Sequence, residues 1–455
     1  MKGVVVMKAL VLATFVALFC APLFSQQPPE KSKTVEKIVS EVSKANIEKI
    51  DKKLVSFGTR QTLSDTVSDS RGIGAARRWI YSEFQEAAKQ SNGRMTVEYQ
   101  EGMSPTSRRT PQPVKIVNVV ATLKPVSDAL GSDRVFIIGG HYDSRATDDN
   151  DATSDAPGAN DDGSGATAAI ELARVFSKFE FRCTVKFISF AGEEQGLFGS
   201  AQYAEMAKQS GMRIDGMINN DMIGNSRGGD GTVEKKYVRL FAEGLSPVDT
   251  GMVLRRMDFL GLDNDGPSRT LARYVQEVGE RYVPGHGIRM VYFRDRFLRG
   301  GDQSSFHDLG YAAVRLVDAR ENYDHQHQNV RMENGKQLGD LPEFVDYDYL
   351  TENAKVDAAA LASLALAPSA PKNVGIVISH LAYDTRLRWN KNPESDIAGY
   401  YVRYRETTAP QWEGMKFTAD TTTDLKFLKD DYLFGVQAVD KDGNASLVSL
   451  PVPVR

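Results

Sequence analysis

The sequence predicts an α/β domain, a mostly parallel central sheet with helices on both faces, followed by a C-terminal all-β sandwich. Three observations carry this. Between about residues 114 and 365, short apolar runs alternate with helix-length segments, the pattern of strands joined by helical crossovers. A proline-punctuated stretch, Ala367-Pro-Ser-Ala-Pro-Lys-Asn373, then interrupts the alternation. The residues after it form short alternating runs separated by turn signals, as in antiparallel sandwiches. With 455 residues, 41% of them hydrophobic, the chain can fill more than one core. The boundaries are 1–25 for an export segment, 26–365 for the α/β domain, 366–372 for a linker and 373–455 for the sandwich.

The first residues carry Lys2 and Lys8, an almost wholly apolar core at residues 9–19, and Pro22 before polar Ser25-Gln-Gln-Pro-Pro-Glu30. This is similar to a secretory signal peptide, with cleavage expected near Gln26 and Met7 as an alternative start. The expected location is periplasmic or extracellular. The apolar length almost spans a bilayer, so anchoring through this segment stays open. Cys20 leaves with a cleaved signal. Cys183 then has no disulfide partner and reads as a buried apolar filler.

Helical spacing runs through Val35, Ile38, Val39 and Val42, and again through Ile47, Ile50 and Leu54. Ser56-Phe-Gly-Thr-Arg60 breaks it. A helix is predicted at residues 72–89, with Trp79, Ile80 and Phe84 on one side. Strands follow at 95–98, 114–123 and 134–141. An acidic loop, 143–158, leads into a helix at 165–179 and a strand at 183–190. A helix is predicted from Ser200. Strands at 217–223 and 237–243 precede a helix at 270–283. Strands at 288–293 and 312–317 lead to an alanine-rich helix at 347–365. The sandwich strands are predicted at 374–378, 385–389, 399–405 and 433–439. Net charge is −4, from 56 Lys and Arg against 60 Asp and Glu, with no long basic run. That argues against nucleic acid as the main partner.

Several of these strands end in residues that can hold a metal. The run ending at Phe190 delivers the adjacent carboxylates Glu193 and Glu194 after Gly192. Gly139-Gly-His-Tyr-Asp143 ends another strand with His141 and Asp143. Ala159-Asn-Asp-Asp-Gly-Ser-Gly165 carries Asp161 just before a helix. Asn220-Asp221 ends a further strand, and Tyr323-Asp-His-Gln-His-Gln-Asn329 supplies His325 and His327. The C-terminal edge of a parallel sheet is where such folds bind ligands. Each piece alone has a plainer explanation: Asp161 as a helix cap, His141 as a satisfied polar residue, the late histidines as surface residues. Together they form a nitrogen/oxygen donor set without thiolate, suited to zinc or a similar divalent ion. The donors exceed what one catalytic zinc needs and suit a pair sharing a carboxylate.

With these motifs, and with Phe57-Gly-Thr-Arg60, Val117-Asn-Val-Val-Ala-Thr122 and Gly158-Ala-Asn-Asp161, residues 46–365 resemble the co-catalytic dizinc exopeptidases typified by bacterial leucyl aminopeptidases. Glutamate carboxypeptidases and glutaminyl cyclases are relatives of that family. The resemblance implies two Zn²⁺ ions. Asp161 would bridge them, His141 and Asp221 would complete one site, and Glu194 and His327 the other. Glu193 would be the general base and acid, and Asp143 would orient His141. A cis peptide between Asp161 and Asp162 is also implied. Relatives carry Ser-Asp-His where this chain has Gly301-Asp-Gln303, so Gln303 is expected to lie off the metals. His327, rather than His325, fits the family's ligand setting.

The expected function is a secreted zinc aminopeptidase acting on peptide or protein substrates. A carboxypeptidase, a glutaminyl cyclase or an inactive binding protein on the same fold are the alternatives. Arg294, Arg296 and Arg299 are expected to solvate a loop rather than to recognise a substrate carboxylate. The C-terminal residues resemble a fibronectin type III module, through Trp389, the run from Asp396 to Tyr404 and the run from Tyr432 to Gly443, with Tyr432 as the corner tyrosine. That module is expected to fold alone, to be dispensable for small substrates and to offer a cell-surface or matrix contact.

Overall fold

The chain enters through two short helices, α1 (Lys33–Ser40) and α2 (Lys44–Val55), whose apolar stripes are buried as their spacing predicts. The structure is a computed structural model that describes residues 30–126 and 131–455. The export segment read at residues 1–25 lies outside them. Among the described residues, no helix is long and apolar enough to cross a membrane.

After α3 (Gly72–Lys89) come β1 (Met95–Met103), β2 (Lys115–Leu123) and β3 (Arg134–His141). They are followed by α4 (Gly163–Phe176), β4 (Thr184–Phe190), α5 (Phe198–Gln209), β5 (Arg213–Asn220) and β6 (Tyr237–Phe241). Next are α6 (Met252–Phe259), α7 (Pro267–Tyr282), β7 (Gly287–Val291), α8 (Gln303–His307) and β8 (Ala313–Val317). A small hairpin, β9 (Arg331–Glu333) and β10 (Lys336–Leu338), precedes the long α9 (Tyr347–Leu366). Strands β1 to β8 make one sheet in the order β1-β2-β4-β3-β5-β8-β6-β7. Its central members β4, β3, β5 and β8 are parallel to one another. Their C-terminal ends therefore share one edge.

Burial explains the apolar runs. All eight residues of β3 are buried. Phe136 and Ile138 join the core shared with α4 and α9. Val135 and Ile137 point the other way, against Tyr203 of α5 and Phe306 of α8. A strand covered on both faces has no reason to alternate apolar with polar. Gly140 and Gly165 let the start of α4 approach the sheet closely. A Cβ on Gly140 would meet Asp162 Oδ2 at 2.6 Å, and one on Gly165 would meet the Asn220 carbonyl at 2.2 Å.

Beyond the linker lie two separate sheets. The first joins β11 (Gly375–Val377) and β12 (Thr385–Arg388) to strands given below, and the second is built on β13 (Ile397–Glu406) and β14 (Gly414–Thr418). With β15 (Thr422–Leu425), β16 (Tyr432–Asp440) and β17 (Val452–Val454), the orders are β15-β12-β11-β17 and β14-β13-β16. One apolar core, including Leu387, Trp389, Tyr400, Val402 and Val436, fills the space between them. Tyr432 packs among Phe427 and Tyr404. Between these sheets the Tyr400 hydroxyl accepts the Asn392 amide at 2.8 Å.

Candidate metal centre

Three parallel strands deliver the first donors: β3 ends on His141, β4 leads to Glu193 and Glu194, and β5 leads to Asp221. Asp161 sits just before α4, and His327 comes from the loop after β8. The structure brings all six together in two groups, His141 with Glu193 and Asp221, and Asp161 with Glu194 and His327. The Asp161 carboxylate reaches into both. One oxygen is 3.4 Å from His141 Nε2, and the other is 2.9 Å from His327 Nε2. Asp221 lies 3.7 Å from His141 Nε2, and Glu194 lies 3.0 Å from His327 Nε2. Glu193 is 3.9 Å from His141 Nε2, farther than Asp161. His325 is elsewhere, its ring stacked on Phe344 at 3.7 Å.

Local structure holds each donor in place. Asp162, not Asp161, caps α4, accepting from the amides of Gly165 (2.9 Å) and His141 (3.0 Å). Asp161 is thereby free to face the cleft, while its amide donates to Asp340 at 2.7 Å. The Asp161–Asp162 and Asp221–Met222 peptides are both cis, and the family resemblance implied only the first. Buried Arg60 donates to the carbonyls of Tyr142, Pro157 and Gly158, fixing the loop before Asp161. Asn118 holds the Glu193 loop by bonding the Ala191 amide (3.0 Å) and the Gly199 carbonyl (2.9 Å).

Asp143 meets His141 mainly through its backbone, and its carboxylate has further partners. His141 Nδ1 donates to the backbone carbonyl of Asp143 at 3.0 Å, with the carboxylate farther off at 3.6 Å. A carbonyl can only accept, so Nδ1 carries a hydrogen and Nε2 is the nitrogen left to meet an ion. The Asp143 carboxylate instead accepts from the amides of Glu193 (3.2 Å) and Glu194 (3.1 Å). It sets the two glutamates more directly than it sets the histidine. Gln303 lies off the group, bonded to Asn219 and Asp295.

The electrostatics are those of charges buried close together. Burial lowers the pKa of His141, but Glu193, Asp143, Asp161 and Asp221 outweigh it and hold the ring well above its usual range. Burial likewise opposes protonation of His327, yet Glu194 and Asp161 raise it to about 9. Burial pushes Glu193 well above the carboxylate range; His141 opposes this, while Asp221, Glu194 and Asp302 add to it. Glu194 Oε1 is buried, with His327 Nε2 at 3.0 Å as its near polar neighbour. Such a cluster is costly unless cations compensate, and its oxygen and imidazole donors suit zinc. The residues present fit a two-ion site on these grounds.

Sequence reasoning missed Arg315, which bonds Asp221 Oδ1 at 2.8 Å and its carbonyl at 2.7 Å. An arginine inside the apolar run of β8 was the available signal, since a buried guanidinium requires a partner. It also missed Gln326, which donates to Asp161 Oδ2 at 2.8 Å, and the pair Arg109 and Arg145 beside Glu194.

Comparison with known proteins agrees with this geometry. The profile of peptidase family M28 matches residues 118–342. A probable zinc metalloprotease of Leptosphaeria maculans is 43% identical over 426 residues, covering 93% of this chain and 98% of that protein. Another from Pyrenophora tritici-repentis is 41% identical, covering 92% and 97%. Among solved structures, the LapA aminopeptidase of Legionella pneumophila superposes with a TM-score of 0.53 at 19% identity, covering 79% of this chain and 80% of that one. An aminopeptidase from Aneurinibacillus sp. strain AM-1 gives 0.52 at 17% identity, covering 73% and 96%. These two likenesses are of fold. The M28 profile, together with identity sustained over nearly the whole length of these probable zinc metalloproteases, shows that the chain belongs to peptidase family M28, among the zinc metalloproteases.

Proposed function

We propose that this protein is an exported zinc aminopeptidase that removes residues from the free amino end of peptides. Two zinc ions would be held by His141, Asp161, Glu194, Asp221 and His327. The observation that supports this best is the Asp161 carboxylate, with one oxygen directed to each histidine. Zinc, when bound, supplies a Lewis acid for the scissile carbonyl and acidifies water toward neutrality.

The chain's own residues do the rest. Glu193 takes a proton from the attacking water and passes it to the leaving nitrogen. Among the six grouped side chains, Glu193 and His327 are the most open to the cleft, 12% and 19% exposed against 1–5% for the others. Asp143 keeps Glu193 aimed through its amide, and Arg315 keeps Asp221 ionised and in place. The preference for a free amine is carried over from the aminopeptidases whose fold this chain shares. The test is a panel of free-amine and N-blocked peptides with the zinc-loaded protein. Cleavage confined to free amines is expected. Cleavage of N-blocked peptides with free C-termini would make it a carboxypeptidase.

Export rests on the leader read at residues 1–25, and N-terminal sequencing of the mature protein tests it. A chain beginning near Gln26 is expected, whereas a full-length chain in the membrane fraction would make the segment an anchor. The C-terminal sheets are read as a fibronectin type III-like module for a cell-surface or matrix partner, supported by two sheets over one core. Pull-down of matrix components by the full chain, but not by the chain ending at Ala367, would be the expected result. Equal retention of both would remove that role.

A further inference from the structure

The walls of the cleft point to a class of substrate. The cleft encloses about 180 Å³ beside the donor groups, and its only aliphatic side chains are Leu197 and Leu298. Five arginines line it: Arg109, Arg145, Arg296, Arg299 and Arg315. Arg296 and Arg299, expected from the sequence to solvate a loop, both line the cleft. Arg294 does pair outside the cleft, with Asp308 at 2.6 Å.

Three of the five are neutralised. Arg315 bonds Asp221 and Asp295, Arg296 bonds Asp295 and Glu321, and Arg109 bonds Asp149 at 2.8 Å. Arg145 and Arg299 differ. Arg299 reaches only Gln326 Oε1 (3.1 Å) and His327 Nδ1 (3.2 Å), and takes part in no ion pair among the described residues. Arg145 makes long bonds to the carbonyls of Ala146 (3.3 Å) and Thr147 (3.4 Å), and its one carboxylate contact is Glu194 at 3.9 Å. The cleft carboxylates Asp161, Glu193, Glu194 and Asp221 are all taken up by the roles proposed above. The Arg299 contact is also incomplete. If His327 Nε2 holds an ion, neutral Nδ1 carries the hydrogen, and two donors then face each other. An acceptor between them would satisfy both.

We propose that Arg145 and Arg299 bind a carboxylate of the substrate beside the scissile bond, so that anionic peptides are preferred. Guanidinium groups match carboxylates in shape and charge, and a half-buried guanidinium without a counter-ion gains most from one. The proposal rests on the peptidase reading of the site. The carboxylate has two sources, an acidic side chain or a free C-terminus.

Three matched pairs separate them on the zinc-loaded full chain: glutamyl-leucine amide against glutaminyl-leucine amide, leucyl-glutamyl amide against leucyl-glutaminyl amide, and leucyl-leucine against its amide. In at least one pair the anionic member should be favoured in kcat/KM by about tenfold to a hundredfold, as for a charge-assisted hydrogen bond. The pair showing this names the source. Arg299→Gln and Arg145→Gln should each bring the ratio toward one, and Arg299→Lys should restore part of it. The ratio within a pair is unaffected by a loss of rate common to both members. Ratios near one in all three pairs, or ratios unmoved in both Gln variants, overturn the proposal. If no peptide is cleaved, the peptidase reading fails by itself, and calorimetric binding of glutarate decides this one. Binding at least tenfold weaker in the Gln variants supports the carboxylate site. Equal binding, or none to the native protein, overturns it.

Discussion

Asp143 governs the site through its neighbours' amides, because one buried carboxylate accepts from both Glu193 and Glu194. The two glutamates can then differ in role although they are adjacent. Glu194 faces His327, and Glu193 opens toward the cleft beside His141 and Asp221. The geometry admits Glu193 either as the proton carrier or as a donor to the His141 ion, and one substitution separates these. Glu193→Gln is expected to keep two zinc ions per chain and to lose about 10²–10⁴-fold in kcat, the usual contribution of proton transfer. Elemental analysis with steady-state kinetics checks it. Loss of an ion would make Glu193 a ligand, and near-native kcat would remove it from the proton role. The histidines give a second contrast. His327→Ala should drop the zinc content to one ion and abolish turnover, because His327 Nε2 lies within 3.0 Å of both Asp161 and Glu194. His325→Ala should keep both ions, since its ring is committed to Phe344. A single ion in His325→Ala would exchange the assignments.

At the scale of elements, the parallel strands were legible because burial on both faces leaves continuous apolar runs, as in β3 and β4. Their ends were legible because glycine and carboxylate residues interrupt those runs abruptly. What the sequence hid was pairing over distance. Arg315, Asp340 and Gln326 reach the donors from loops and a strand far along the chain, and nothing local marks such partners. Helix α6 went unread: its apolar residues are spaced like a helix but the run is only eight residues long, and it buries none of them. Short strands such as β14, β15 and β17 carry too few residues for a period to show. Asp265, just before α7, shows such distant pairing at its strongest. It bonds Arg273 of α7 at 2.8 Å and Arg405 of β13 at 2.6 Å, and all three are buried. Removing the shared anion leaves two guanidiniums inside the protein without a counter-charge. Asp265→Ala should therefore cost about 3–5 kcal/mol of stability, as when one partner of a buried pair is lost. Urea unfolding measures this. A change below 1 kcal/mol (about the scale of an exposed pair) would mean that water reaches the junction.

Across the whole molecule, the C-terminal sheets are fastened to the α/β region by more than the linker. Arg405 meets Asp265, Arg403 meets Glu277 of α7 at 2.7 Å, and Arg182 before β4 meets Asp396 and Asp440. The Tyr274 hydroxyl donates to the Ala445 carbonyl at 2.8 Å, and Arg273 donates to the Pro410 carbonyl at 2.8 Å. The two parts also travel together in the fungal relatives, whose match covers 93% of this chain. None of these bonds involves the six grouped donors, which lie between residues 141 and 327. The strand and loop after α7 also meet the sandwich, where Gln411 touches Met290 and Tyr292 reaches Pro410. The expectation that the sandwich is dispensable for small substrates therefore divides in two. A chain ending at Ala367 should bind two zinc ions and turn over a small uncharged amide within several-fold of the full chain. It should also unfold at a clearly lower urea concentration, because Asp265, Arg273 and Tyr274 lose their partners. Asp265→Ala in the full chain should reproduce part of that loss. Zinc stoichiometry, kinetics and urea midpoints on the three proteins check the set. If the shortened chain keeps both ions but loses turnover by orders of magnitude, the sandwich shapes the cleft through Tyr292 and Met290. If its urea midpoint equals that of the full chain, the junction contributes nothing to stability and the two parts are joined only in name.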